Sequence, residues 1–274
     1  MSRTLKYRSA LADAKRVVVK IGSRVLVQKT GRPDVRRMLA IVKGLASLQR
    51  SGHQVVLVSS GAVGAGMEAL GMKSRPDQLP DIQMAAAVGQ IRLMTRYHDF
   101  FKAEKSDVGQ VLLTHDDFHS TLRVANARRT MENMLRHGVI PIVNENDVVA
   151  DEELKAELKK LGDNDLLAAL VVKLIRADLL LMLTTVNGYS EPGPSGRRRR
   201  ISVLEKITPK ILRAADSMQG SALSTGGMRS KLKAARSAAQ AGCDVVIANG
   251  REAHVIHSIM EGKDIGTLIP AAPL

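Results

Sequence analysis

Short aliphatic runs, apolar on both faces and separated by segments of helical period, constrain this chain more than any other feature. RVVVKIG (16–22), QVVLVSSG (54–61), VGQVLLT (108–114), VIPIVNEN (139–146), DLLLMLT (178–184) and CDVVIANG (243–250) read as strands. Their aliphatic character runs through both faces, so both must be covered by other elements. Between them lie helical segments. Residues 33–49 carry Val35, Leu39, Val42, Leu45 and Leu48 at helical spacing, and Gly52 closes them. Residues 81–105 read as one long helix or two. Residues 122–137 end at Gly138, 163–177 open on an aspartate, and 228–241 end at Gly242. Doubly buried strands alternating with helices predict an α/β fold: a three-layer αβα sandwich around a mostly parallel central sheet. Aromatic residues are only 2% and Trp is absent, so Val, Leu, Ile, Ala and Met must build the core.

No Pro/Gly/Ser-rich linker separates two cores within the 274 residues. A single domain over 16–274 is expected, after a basic N-terminal tail at 1–15. YSEPGPSGRRRR (189–200) reads as a loop within the fold. The single cysteine, Cys243, excludes an intrachain disulfide and reads as a buried structural thiol. No apolar run reaches the roughly 18 residues that span a bilayer. The N-terminus lacks the apolar stretch of a secretory signal, so no membrane partner and a cytoplasmic location are expected. The formal net charge of +14 favours anionic partners. The one dense basic run, Arg197 to Arg200, has no interleaved aromatics, so nucleic acid is not expected as a partner.

Ligands of open parallel sheets sit at the carboxyl ends of strands. Here those ends are rich in glycine and small polar residues. VVVKIGS places Lys20 at a strand end and Gly22–Ser23 in the turn. VVLVSSGAVGAG places Ser59, Ser60 and glycines at the next, where backbone N–H groups and a helix N-terminus can approach an anion. STGGMRSK (224–231) opens another helix and carries Lys231. GAVGAG is not the G-x-G-x-x-G dinucleotide fingerprint, and GMEALGMK (66–73) has Met where a Walker A loop has Gly before its Lys. Two polar clusters complete the pattern: NEND (144–147) at a strand end, and GDND (162–165) at a helix start. Alone, the first reads as a polar turn and the second as a helix cap. Together, after SSGA, they read as a site.

In order along the chain, VVVKIGS, LVSSGAVGAG, AAAVGQ (85–90), IVNENDVVA, GDNDLLAAL, TGGMRSK and EGKDIGTL (261–268) resemble the amino acid kinase family, and within it the glutamate 5-kinase branch. The resemblance implies the αβα kinase fold, with a substrate-side lobe at about 16–150 and a nucleotide-side lobe at about 163–268. It implies phosphorylation of the γ-carboxylate of L-glutamate by ATP, with Mg²⁺ carried on the nucleotide, as the first step towards proline. Feedback inhibition by proline and a homodimer or homotetramer are further expectations. The chain resembles short members without the added C-terminal RNA-modification-type domain.

The same resemblance assigns site residues. Lys20 and Lys231 are expected at the transferred phosphoryl group, since a carboxylate attacking a triphosphate brings two anions together. Asp165 is expected to orient the two lysines. Ser60, Gly61, Ala62, Asn144, Asp147 and Asn164 are expected on the substrate, Asp147 against its ammonium. Gly22, Ser23, Thr184, Thr185, Thr225, Gly226, Gly227 and Met228 join the lysines on ATP.

The branch usually has Thr-Asp where this chain has Thr184–Thr185, so nucleotide contacts are expected to differ. Arg197 to Arg200 are candidates to reach the nucleotide phosphates instead. EELKAELKK, in the connection between NEND and GDND, reads as a short helix or flap over the substrate. A relative acting on another acceptor, a basic nucleic-acid binder and a glutamate or proline sensor are the competing readings.

Overall fold

The computed structural model describes residues 7–28, 33–149, 163–193, 197–216 and 227–272. The first half runs β1 (Arg16–Ile21), α1 (Val35–Arg50), β2 (Gln54–Ser59), α2 (Ala62–Ala69), α3 (Leu79–Ala103), β3 (Asp107–Leu113), α4 (Thr121–Arg136) and β4 (Val139–Glu145). The second runs α5 (Asp163–Ile175), β5 (Leu179–Thr184), β6 (Ser190–Pro192), β7 (Arg198–Arg200), α6 (Pro209–Asp216), α7 (Met228–Ala239), β8 (Asp244–Asn249), α8 (Val255–Met260) and β9 (Thr267–Ile269).

The main sheet has seven strands in the order β3-β4-β2-β1-β5-β8-β9. Every pairing is parallel except β8 with β9. Side chains alternate between its faces. Val18, Val58, Met182 and Ile247 meet Met131 of α4, Val172 of α5 and Leu232 of α7 on one side. Val17, Val19, Leu57 and Leu181 meet Val42 of α1, Phe101 of α3 and Ile259 of α8 on the other. Two apolar layers sandwich the sheet, as the doubly aliphatic runs require. Lys20 sits in register with Val58 of β2 and Met182 of β5, on the face covered by α5 and α7.

The helix starts follow from local chemistry. Asp34 accepts from the Arg37 N–H at 3.0 Å and sets the start of α1. The segment expected as one helix or two over 81–105 is one, α3, which begins at Leu79 with Pro80 in its first turn, where no N–H is needed, and ends at Ala103.

α2 lies backbone to backbone against α3. A Cβ on Gly66 would fall 1.7 Å from the Ala85 carbonyl oxygen, and one on Gly89 would fall 1.8 Å from that of Ala62. Neither neighbour is a side chain that can swing away. Gly89→Ala is therefore expected to cost at least about 3 kcal/mol, the upper end of ordinary overpacking. A Cβ on Gly64 meets nothing within 4 Å, so Gly64→Ala is expected to be neutral or to stabilise the helix. Urea unfolding of the two variants checks the contrast.

Segment 189–200 is not a plain loop. β6 and β7 pair antiparallel, Ser190 with Arg200 and Pro192 with Arg198. Arg198 Nε donates to Ser190 Oγ at 3.1 Å, and Arg200 forks onto Asp264 at 2.8 and 3.0 Å. At the N-terminus, residues 7–15 pack onto the domain. Arg8, 1% exposed, donates to the carbonyls of Lys263, Ile265 and Ser202 at 2.9–3.0 Å. Cys243 is buried, and burial pushes its thiol well above the ordinary value, as expected of an inert structural thiol. No helix among the described residues is long and apolar enough to cross a membrane.

Candidate active site

The carboxyl ends of β1, β2, β4 and β5 open into one cleft. Lys20 reaches it from β1, whose chain then turns at Gly22, where the N–H donates to the Leu183 carbonyl at 3.0 Å. Asp165 enters from the first turn of α5 and Lys231 from the first turn of α7. Both helices direct their amino ends, and so partial positive charge, at this point.

The three side chains form a fork. Lys20 Nζ donates to Asp165 Oδ1 at 2.6 Å, and Lys231 Nζ donates to Oδ2 at 3.1 Å. Ser230 Oγ donates to Oδ2 at 3.1 Å as well. Asp165 is 1% exposed. Burial alone would raise its pKa, but the ammonium groups of Lys20 and Lys231 outweigh it and hold the carboxyl below its usual range. One carboxylate between two ammonium groups leaves a net positive charge. The fork can therefore take a further anion while its lysines stay fixed.

One wall of the cleft is the start of α2. Gly61 precedes it at φ 115°, in the left-handed region that disfavours any side chain. That turn delivers Ser60, Gly61 and Ala62 to the cleft. The facing wall is the end of β4, with Asn144, then Asp147 at the start of a short 3₁₀ turn, Asp147–Val149. Asn144 is 2% exposed, and its Nδ2 donates to Gln90 Oε1 of α3 at 2.9 Å. At the other end, Thr184 closes β5 and Thr185 follows it, and Gly227 and Met228 open α7.

The cleft thus gathers Lys20, Gly22, Ser23, Ser60, Gly61, Ala62, Asn144, Asp147, Asn164, Asp165, Thr184, Thr185, Gly227, Met228 and Lys231. Thr225 and Gly226, and the connection at 150–162 with its EELKAELKK segment, lie outside the described residues. None of Arg197 to Arg200 lines the cleft. Arg198 and Arg200 are held by Ser190 and Asp264. Sequence reasoning missed Arg24, Arg75 and Glu145 as lining residues. It also missed the Gln90 contact to Asn144. Glu145 lies inside NEND and was within reach of the motif; Arg75, on the connection between α2 and α3, gave no local signal. Among the described residues, no group of three or more His, Cys, Asp or Glu is arranged to hold a metal ion.

Two lysines forked on one buried carboxylate, in a polar cleft at the carboxyl edge of a parallel sheet, suit the binding of an anion. Residues 15–249 match the family model described as the amino acid kinase family, and the chain belongs to that family. It is a kinase. It is 46% identical over 263 residues to a glutamate 5-kinase of Moorella thermoacetica, covering 95% of this chain and 68% of that one. It is 43% identical to a glutamate 5-kinase of Pelobacter propionicus, covering 95% and 69%. A glutamate 5-kinase of Listeria monocytogenes is 41% identical, with 95% of each covered. The UMP kinase structure from Bacillus anthracis superposes with a TM-score of 0.60 over 95% of this chain and 97% of that one. At 16% identity, that likeness is one of fold.

Proposed function

We propose that this protein is a glutamate 5-kinase: it transfers the γ-phosphoryl group of ATP to the γ-carboxylate of L-glutamate, giving L-glutamyl 5-phosphate. The observation that carries this reading is the Lys20–Asp165–Lys231 fork, set between the acidic end of the cleft at Asp147 and the start of α7 at Gly227. The identity to glutamate 5-kinases supports the same reading.

In this reading the substrate ammonium lies against Asp147. The γ-carboxylate points towards the amino end of α2 and Lys20. Lys20 and Lys231 neutralise the oxygens of the transferred group as charge moves from attacking to leaving oxygen. Asp165 takes no part in bond making; it holds both ammonium groups where that charge develops. Mg²⁺ carried on the nucleotide would supply further neutralisation. Asp165 is already committed to the lysines, and a hydrated Mg²⁺ held by ATP oxygens suits this donor set better than a cage of side chains. Proline shares the α-carboxylate and cationic nitrogen of glutamate, so its inhibitory binding would fall at the Asp147 end. Assembly into a dimer or tetramer through α3 belongs to the same reading, as does a division into a substrate side (16–150) and a nucleotide side (163–268).

Hydroxylamine trapping tests the reaction. Acyl phosphate reacts with hydroxylamine to give a hydroxamate and free phosphate. With ATP and Mg²⁺, hydroxamate is expected from L-glutamate and not from aspartate or N-acetylglutamate. Hydroxamate from one of the other acids would move the protein to another acceptor within the family. None from any acid, in protein that binds glutamate, would leave a sensor.

A further inference from the structure

We propose that Gln90 is a positioning residue that fixes which end of the Asn144 amide meets the substrate, and so sets the cleft's selectivity for a free α-ammonium group. The inference rests on the glutamate reading given above. Asn144 and Gln90 are 54 residues apart, on β4 and α3, and the Nδ2 of Asn144 donates to the Oε1 of Gln90 at 2.9 Å. A carboxamide has a donor end and an acceptor end. With its nitrogen engaged by Gln90, Asn144 has its oxygen left for the cleft, and no hydrogen bond holds that oxygen among the described residues. Asp147 and Glu145 line the same cleft, and ionised carboxylates only accept. The Asn144 oxygen adds a neutral acceptor beside theirs. The matching group is a cation with several N–H donors. A primary ammonium has three; an N-acylated nitrogen is neutral and has one.

A second observation separates this role from plain packing. The Nε2 of Gln90 is buried and meets no acceptor among the described residues. A buried unpartnered amide is unfavourable to folding. The hydrogen bond through its oxygen is thus the useful half of the side chain. Gln90 borders a small pocket with Ala86, Ala87 and Leu112, where the unbranched Met side chain is a close match in shape. Gln90→Met removes the amide without leaving a hole.

The test is calorimetric binding of L-glutamate and of glutarate, which lacks only the ammonium, to the full chain and its variants. The parent protein is expected to prefer glutamate. Gln90→Met is expected to weaken glutamate about tenfold while leaving glutarate unchanged, the scale of one hydrogen bond to a charged group. Gln90→Glu keeps an acceptor facing Asn144 Nδ2 and is expected to restore most of the preference. Equal weakening of both ligands by Gln90→Met would mean a merely structural role and overturn the inference, as would an undiminished preference for glutamate. A parent protein that does not distinguish the two ligands would instead overturn the glutamate reading, and this inference with it.

Discussion

Asp165→Asn is expected to lose about 10²- to 10³-fold in kcat and about 3–5 kcal/mol of stability. The carboxylate is the one acidic group of the fork, 1% exposed, with Lys20 at 2.6 Å and Lys231 at 3.1 Å. An amide in its place removes the negative charge that Asp165 sets between two enclosed ammonium groups. The stability loss should therefore be reversible in a specific way. Sulfate or ATP, bound between the lysines, supplies the missing negative charge, so the variant's unfolding midpoint should rise with added anion more steeply than the parent's. The pH dependence has a definite sign. The folded pKa of Asp165 lies below its usual 3.8, so the stabilisation is present above that value and is lost as pH falls through the lower folded value. The gap between parent and variant should close only in that acid range. Urea unfolding at neutral and acid pH, with and without sulfate, checks each part; an anion-independent deficit would mean that Asp165 does something other than neutralise the lysines.

Lys20→Met is expected to abolish turnover far more than it disturbs the fold. Loss of one preorganised charge at a reacting phosphoryl group is worth about 10³-fold in rate. The methionine stem follows the buried path of the lysine, and Asp165 keeps its pairing with Lys231 and Ser230. Stability should change by no more than about 1–2 kcal/mol, because one partner of the carboxylate remains. Glutamate should still bind, since the proposed reaction puts Lys20 at the transfer point rather than at the ammonium end. A steady-state KM for glutamate within a few-fold of the parent, beside a collapsed kcat, is the expected pattern. A large rise in KM with kcat retained would move Lys20 from transition-state stabilisation to ground-state binding.

The inner strands of the main sheet were legible because burial on both faces leaves an unbroken aliphatic record, as in VVV of β1 and LLLML of β5. The lysine fork was legible only through motif resemblance, since Lys20 and Asp165 are 145 residues apart and no local pattern joins them. What escaped was set by tertiary contact. α2 read as a glycine-rich turn because Gly64 and Gly66 weaken a helix locally; the approach of the Ala85 carbonyl explains why Gly66 has to be there. β9 is three residues long and gains its register from β8, which no periodicity can signal. β7 is written RRR, and its pairing depends on Asp264 and Ser190 to receive those charges. Arg75 reaches the cleft from a connection whose sequence only says that a helix is about to begin.

The seam between β1 and β5 joins the two sides of the site, with five residue pairs in parallel register from Val17 with Leu179 to Ile21 with Leu183. Acceptor and donor walls are thus anchored on adjacent strands of one continuous hydrogen-bonded ladder, not on two bodies joined by a tether. A nucleophile and a phosphoryl donor held on such a ladder would meet at a distance fixed when the chain folds, because the groups that hold them are positioned before either ligand arrives. Narrowing of the gap then falls to twist of the sheet and to the loops at its carboxyl edge. In the proposed reaction the separation of the reacting groups would then be a property of the sheet, and entry and release a property of the loops.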